Sequence, residues 1–359
     1  MTDEAICTAR GPVGHILLNR PKALNALTLP MVDVIVPALK SWAADPAIKL
    51  VVIRGAGDRA FCAGGDVRAV WDAGLQRKRG EGAGALTAAF FAAEYRLNRM
   101  IKCFPKPYVA LMDGITMGGG VGLSVHGSHR VTTEKTLLAM PETGIGLFPD
   151  VGGTWFLPRL PGKLGLYLGL TGARVMAGDL AYTGIATHHS RSDALDDLEK
   201  DLEAALDDAP DADAALEAVL GHHAATPDQP TLAAHRAVID RCFTADSVEG
   251  ILANLAAEGG EWAAKTTATL LAMSPTSLKV TFEQLRRGAA LEFDDCMRLE
   301  FRMTQAVMDG HDFYEGIRSV LVDKDRNPKW QPASLDSVDP AFVARHFDPP
   351  PGGDLTFEG

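Results

Sequence analysis

Paired cysteines, a secretion leader and long apolar runs are all missing from this sequence of 359 residues. Its five cysteines, Cys7, Cys62, Cys103, Cys242 and Cys296, are scattered, odd in number and without a CxxC pair. That is poor arithmetic for a disulfide framework or a zinc site and suits a reducing compartment. The first residues, MTDEAICTARGPVGHI, carry early acids in place of a basic-then-apolar leader, which points away from secretion and organelle import. No apolar run approaches the ~20 residues that a membrane-spanning helix needs. Positive charge is also short: the net charge is -11, which argues against nucleic acid or an anionic membrane as the main partner. Together these absences predict a soluble, cytoplasmic protein. There is no GxSxG and no Cys–His pairing, so a serine or cysteine hydrolase triad is unsupported. His126, His129, His188 and His189 fit no metal-ligand spacing and read as structural, so no metal is expected.

What is present is an ordinary globular composition, 47% hydrophobic and 23% charged, long enough for one large domain or two smaller ones. Short apolar runs at 13–18, 50–53 and 108–112, near 130 and 138, and at 185–188 read as strands. Amphipathic stretches between them read as helices: 28–42 with Thr28 as N-cap, 66–78, 85–103 after a flexible link at 80–84, and 163–171. This alternation marks the α/β class. From Asp193 the composition shifts to Ala, Leu, Asp and Glu in helical spacing, and the chain to about Val322 reads as all helical. The resulting segments are an α/β core over 1–190, a helical region over 191–335, and a loose Pro/Gly-rich tail over 336–359.

One stretch, Met112 to Asp150, concentrates the chemistry. A strand delivers the chain into Gly118, Gly119 and Gly120, and a second strand ends in Pro141-Glu142, with Asp150 eight residues later. Backbone N–H groups freed by glycines, followed by two carboxylates, suit acyl chemistry through an oxyanion. Two N–H donors aimed at the developing oxyanion stabilise it, and losing one costs ~10²–10³ in rate. Gly65, in Cys-Ala-Gly-Gly-Asp, and Gly119, at a helix start, can supply the pair. Glu142 and Asp150 in an apolar neighbourhood have pKa values pushed apart or upward, as acid/base work near neutral pH requires. Taken singly, each glycine cluster reads equally as a tight turn, Asp150 as a helix N-cap, and Glu94 as a buried ion-pair partner or solvent-facing residue.

The segments NRPKALNALT, AFCAGGDVR, GITMGGGVGLSVHG, AMPETGIGLFPDVGGTWFLPRL, SPTSLKVT and GHDFYEGIRSVLVDKDRNPKW resemble the crotonase (enoyl-CoA hydratase/isomerase) superfamily over about residues 11–335. Within it the chain is most similar to the 3-hydroxyisobutyryl-CoA hydrolases. The resemblance implies a crotonase-like spiral ββα core with a C-terminal helical region, and a coenzyme A thioester as substrate, with no separate cofactor. It implies Gly65 and Gly119 as oxyanion donors and Glu94, Glu142 and Asp150 as substrate-contacting acids. It also implies coenzyme A contacts at Ala63, Val67 and Arg68. Crotonases commonly self-associate, which leaves a homo-oligomer open.

One departure discriminates among activities. Hydratases of this superfamily place a first glutamate two residues after the glycine triplet, where this chain has Gly122. The second glutamate matches Glu142, and Asp150 stands where hydratases usually have glycine. Losing one of the two carboxylates that hydrate a C=C bond while keeping the oxyanion glycines fits thioester hydrolysis better. The expectation is therefore hydrolysis of a 3-hydroxyacyl-CoA, specifically 3-hydroxyisobutyryl-CoA, as in valine breakdown. Hydration or double-bond isomerisation, and a catalytically silent acyl-CoA binder, are the alternatives.

Overall fold

The computed structural model describes residues 3–81, 85–207 and 209–357. In chain order it forms β1 (Ala5–Arg10), β2 (Val13–Leu18), α1 (Leu29–Ala44), β3 (Leu50–Gly55), β4 (Ala60–Cys62), α2 (Val67–Lys78) and α3 (Ala85–Lys102). There follow β5 (Tyr108–Met112), β6 (Ile115–Met117), α4 (Gly119–Ser124), β7 (His129–Thr132), β8 (Leu137–Ala139), α5 (Gly153–Phe156) and α6 (Leu164–Thr171). Then come β9 (Val175–Met176), α7 (Ala177–Thr183), β10 (His188–His189), α8 (Leu195–Asp207) and α9 (Ala212–His222). The rest is helical: α10 (Thr231–Cys242), α11 (Val248–Glu258), α12 (Gly260–Ala272), α13 (Pro275–Gly288), α14 (Phe293–Asp309), α15 (Asp312–Ile317) and α16 (Pro340–Arg345). The anticipated cap is where the side chain predicts it: the Thr28 hydroxyl accepts from the Met31 N–H at 3.3 Å. Asp66 caps α2 in the same way, accepting from the Ala69 N–H at 3.2 Å. Most of the link expected at 80–84 lies outside the described residues.

Contacts divide the chain into two units, each discontinuous in sequence: 1–65, 97–138 and 175–233 in the first, 66–96, 139–174 and 234–359 in the second. The first unit holds the strands. A six-stranded sheet has the order β1-β2-β3-β5-β7-β10, and a four-stranded sheet the order β4-β6-β8-β9. β1 and β2 form an antiparallel hairpin, and from β2 onward the larger sheet is parallel. Alternating residues of the larger sheet, Leu50 with Val52 and Val109 with Leu111, bury one face against Leu195, Leu198, Leu202 and Leu206 of α8 and Leu216 and Leu220 of α9. The acidic run is thus amphipathic: its leucines recur at helical spacing and each contributes about 1.5–3 kcal/mol by burial. Arg54, on β3, fastens α8 by bonds to Asp196 at 2.7 Å and Glu199 at 2.8 Å. The strand expected at 185–188 is shorter and later, pairing His188 with Val131 and His189 with Thr132.

The second unit is helical. The tail expected to be loose is anchored instead over its described part. Phe347 and Leu355 are buried, and Arg302 grips both carboxylate oxygens of Asp354 at 2.6 Å. Two apolar side chains with a bidentate ion pair outweigh the turn-forming Pro/Gly composition between them.

Candidate active site

The predicted site residues fall into two groups, one inside each unit. In the first unit β4 and β6 run parallel, pairing Ala60 with Ile115 and Cys62 with Thr116. Gly65 and Gly119 therefore lie just past the exits of two neighbouring parallel strands. Leu27 bridges Gly65, its N–H donating to the Gly64 carbonyl at 2.8 Å, while the Ala63 N–H is taken by the Leu24 carbonyl at 3.0 Å. The Gly64 carbonyl and the Gly65 N–H belong to one planar trans peptide and point in opposite directions, so the Gly65 N–H points away from that bridge. Gly118 turns the chain from β6 into α4 with φ 44°, in the left-handed region that favours glycine. Gly119 is then the first residue of α4, where an N–H has no partner within the helix and carries the positive end of its dipole. Gly120 seats α4 against β4, since a Cβ there would lie 2.1 Å from the Cys62 carbonyl oxygen.

In the second unit four acids are almost wholly buried: Glu94 at 2% exposure, Glu142 at 4%, Asp150 at 4% and Glu300 at 0%. Glu94 comes from α3. Glu142 opens a single 3₁₀ turn, Glu142–Ile145, after Pro141, and Asp150 precedes the turn into α5. Asp150 is not the cap of that helix, a place taken by Gly152. Its Oδ2 instead accepts the Tyr95 hydroxyl at 2.7 Å. Glu300, on α14, accepts the Gly152 and Thr154 N–H groups, each at 2.8 Å.

Burial and mutual repulsion dominate the electrostatics. Asp150 is pushed up to about 6, chiefly by burial, with the Tyr95 bond pulling the other way. Glu300 is pushed up to about 8 by burial and then by Asp150, against the opposing pull of its bonds from Thr154 and Gly152. Glu142 is raised by burial and by Asp150, and Glu94 by burial and then by Asp150, Glu300 and Glu142. Glu94 Oε1 and Glu142 Oε2 are buried without a hydrogen-bond partner among the described residues. Buried acceptors left open in this way cost stability, which makes the cluster a candidate functional site. A carboxyl group held near neutrality, as Asp150 is, can take and return a proton at physiological pH.

The structure thus brings together Glu94, Glu142 and Asp150 in one unit, and Gly65 and Gly119 at adjacent strand exits in the other. The expected coenzyme A contacts divide between the units. Ala63 is in the first; Val67 and the exposed Arg68 open α2 in the second, with Arg68 paired to Asp72 at 3.2 Å. His129 and His188 hold Glu217 at 3.0 and 3.3 Å, as structural histidines do. Sequence reasoning missed Tyr95 and Glu300. A signal for Glu300 existed: it continues the apolar stripe Phe293, Met297, Met303, Val307 of α14, all buried, where a lone acid is anomalous.

Comparison with known proteins follows the same lines. The family model for enoyl-CoA hydratase/isomerase matches residues 13–347. The 3-hydroxyisobutyryl-CoA hydrolase, mitochondrial, of Xenopus tropicalis is 51% identical over 96% of this chain and 88% of its own length. The human protein of that name is 46% identical over 99% and 91%. Among solved structures, a carnitinyl-CoA dehydratase from Mycobacterium thermoresistibile is 42% identical with TM-score 0.92 over all of both chains. An enoyl-CoA hydratase from Rhodobacter sphaeroides is 39% identical with TM-score 0.88, over 99% of this chain and 100% of its own. The cytoplasmic expectation is overturned by these relatives, which are named as mitochondrial. Of the membrane expectation, what holds is that no described helix is long and apolar enough to cross a bilayer. With its parallel strands, its glycine-lined strand exits and a match over nearly its full length, the chain belongs to the enoyl-CoA hydratase/isomerase (crotonase) family.

Proposed function

We propose that this protein hydrolyses 3-hydroxyisobutyryl-CoA to 3-hydroxyisobutyrate and free coenzyme A, the thioester cleavage of valine breakdown, with no cofactor beyond the coenzyme A in the substrate. The observation that carries the reading is the buried acid pair Glu142 and Asp150 in a chain that has Gly122 in place of the first hydratase glutamate. The amides of Gly65 and Gly119 take the charge that builds on the carbonyl oxygen. Glu142 acts as nucleophile or as the base that activates water. In either route water supplies the oxygen of the new carboxylate, the C–S bond breaks, and the departing sulfur leaves as coenzyme A thiol. Asp150 holds the substrate hydroxyl and assists proton transfer, and Glu94 orients the acyl group. Ala63, Val67 and Arg68 contact the coenzyme. The identity to proteins named 3-hydroxyisobutyryl-CoA hydrolase over most of both chains supports this choice of substrate.

A second reading, hydration or isomerisation with Glu142 as the single base, is favoured by the names of the two solved structures. Thiol release from 3-hydroxyisobutyryl-CoA and absorbance loss from crotonyl-CoA, measured side by side, separate the two. Hydrolysis predicts faster thiol release and a fall of about 10²–10⁴-fold in Glu142→Gln, the range for loss of a general base. Faster loss of crotonyl-CoA, or wild-type thiol release no better than that of Glu142→Gln, overturns it. Tight coenzyme A binding with no turnover of either thioester identifies a silent binder.

A further inference from the structure

The short turn from Asp150 into α5 is strained. Val151 has φ 49° and Gly152 φ 90°, two successive left-handed residues, and a β-branched side chain is a genuine outlier there. Such a conformation costs on the order of 1–3 kcal/mol and persists only where its surroundings over-determine it. Two neighbouring helices do so. From α14, Glu300 spends both carboxylate oxygens on the turn, Oε2 on the Gly152 N–H and Oε1 on the Thr154 N–H, at 2.8 Å each. From α13, Gln284 Nε2 donates to the Pro149 carbonyl at 2.6 Å and to the Thr154 hydroxyl at 2.8 Å. The Gly153 N–H, between those of Gly152 and Thr154, turns back to the Asp150 carbonyl at 2.7 Å. The acceptor of the other two N–H groups is the protein's own side chain, with no solvent exposure. The Asp150 carboxyl is held by the Tyr95 hydroxyl at 2.7 Å and by a backbone hydrogen bond of its own residue, so its direction is set by the tyrosine and by the backbone behind it.

We propose that Glu300 is a positioning residue: by clasping the Gly152 and Thr154 amides it holds the left-handed Val151–Gly152 turn, and so aims the Asp150 carboxyl at the hydroxyl of the substrate. Glu300 itself bonds backbone amides and the Thr154 side chain and needs no contact with the substrate. An acid is suited to this place because each of its two oxygens can accept an N–H bond, whereas an amide of the same size presents a donor to one of them. The role of Asp150 rests on the proposed hydrolase activity; the grip of Glu300 on the turn does not.

The test compares 3-hydroxyisobutyryl-CoA with isobutyryl-CoA, which lacks the hydroxyl. In Glu300→Ala the preference for the hydroxylated thioester, the ratio of the two kcat/KM values, is expected to fall by about 10²-fold, the loss that a displacement of about 1 Å produces. Hydrogen exchange at the Gly152 and Thr154 amides is expected to quicken in the same variant. Glu300→Gln, which keeps the shape and one acceptor, should fall between, and it carries the test alone if the alanine variant does not fold. Equal slowing of both thioesters, or unchanged exchange at the two amides, overturns the proposal. If the wild type releases thiol from neither thioester, the hydrolase reading fails, and amide exchange alone still decides whether Glu300 holds the turn.

Discussion

The Tyr95 hydroxyl donates to Asp150 Oδ2 at 2.7 Å, with the tyrosine ring fully buried and the acid nearly so. With a backbone hydrogen bond at Asp150, it pulls the Asp150 pKa down against a burial that pushes it to about 6. A hydrogen bond to the charged form favours that form.

Tyr95→Phe should therefore raise the Asp150 pKa above about 6. An ionised Asp150 accepts the substrate hydroxyl, so the acidic limb of the kcat/KM profile should move to higher pH, with the plateau better preserved than the rate at pH 6. An acidic limb that stays in place in this variant removes Asp150 from the titration. Loss of the bond also leaves a buried acceptor unpaired, for a stability cost of about 1–3 kcal/mol.

Glu300 predicts how stability changes with pH. Its ordinary value is 4.5 and its folded value about 8, so the folded protein binds more protons than the unfolded chain between these limits. By linkage, its contribution is complete below about pH 4.5 and is lost as pH rises through about 8. Glu300→Gln cannot titrate. Urea midpoints across this range should show the wild type losing ground to the variant as pH rises, whatever constant offset the lost N–H bond adds. A difference that stays flat or grows in the wild type's favour contradicts the folded-state value.

Gly120→Ala should disturb the oxyanion piece through packing. The new Cβ would lie 2.1 Å from the Cys62 carbonyl oxygen, a backbone atom that can yield only if β4 and α4 separate. Overpacking of this kind costs about 1–3 kcal/mol, and thiol release should fall with it because Gly119 opens the same helix. Gly221→Ala, also in the first unit, is the contrast. Nothing stands within 4 Å of its Cβ, and in α9 the change should add stability of up to about 1 kcal/mol. Thermal unfolding of the two variants should therefore shift in opposite directions.

Much of the fold is written in local patterns. Apolar runs of strand length alternating with amphipathic stretches imply α/β architecture, and Thr28 and Asp66 mark helix starts because a capping oxygen needs only its own next turn. The buried leucines of α8 are legible as a period in the acidic run, although what they pack against is not. The tail misleads for the same reason: composition reports turn-forming residues, while the Arg302–Asp354 pair joins residues 52 apart.

By itself the sequence determined the family, the glycine-rich strand exits at Gly65 and Gly119 and the anomaly at Gly122, because these are carried by short contiguous motifs whose backbone demands are local. Only the tertiary structure decided that Glu94, Tyr95, Asp150 and Glu300, drawn from α3, from the turn before α5 and from α14, share one buried environment. Burial and charge repulsion act through space across any sequence separation, and they are what raise the pKa values of these acids. The strained turn at Val151 is likewise invisible in the residue string. A valine there becomes left-handed only because Glu300 and Gln284, more than a hundred residues later, hold the backbone around it.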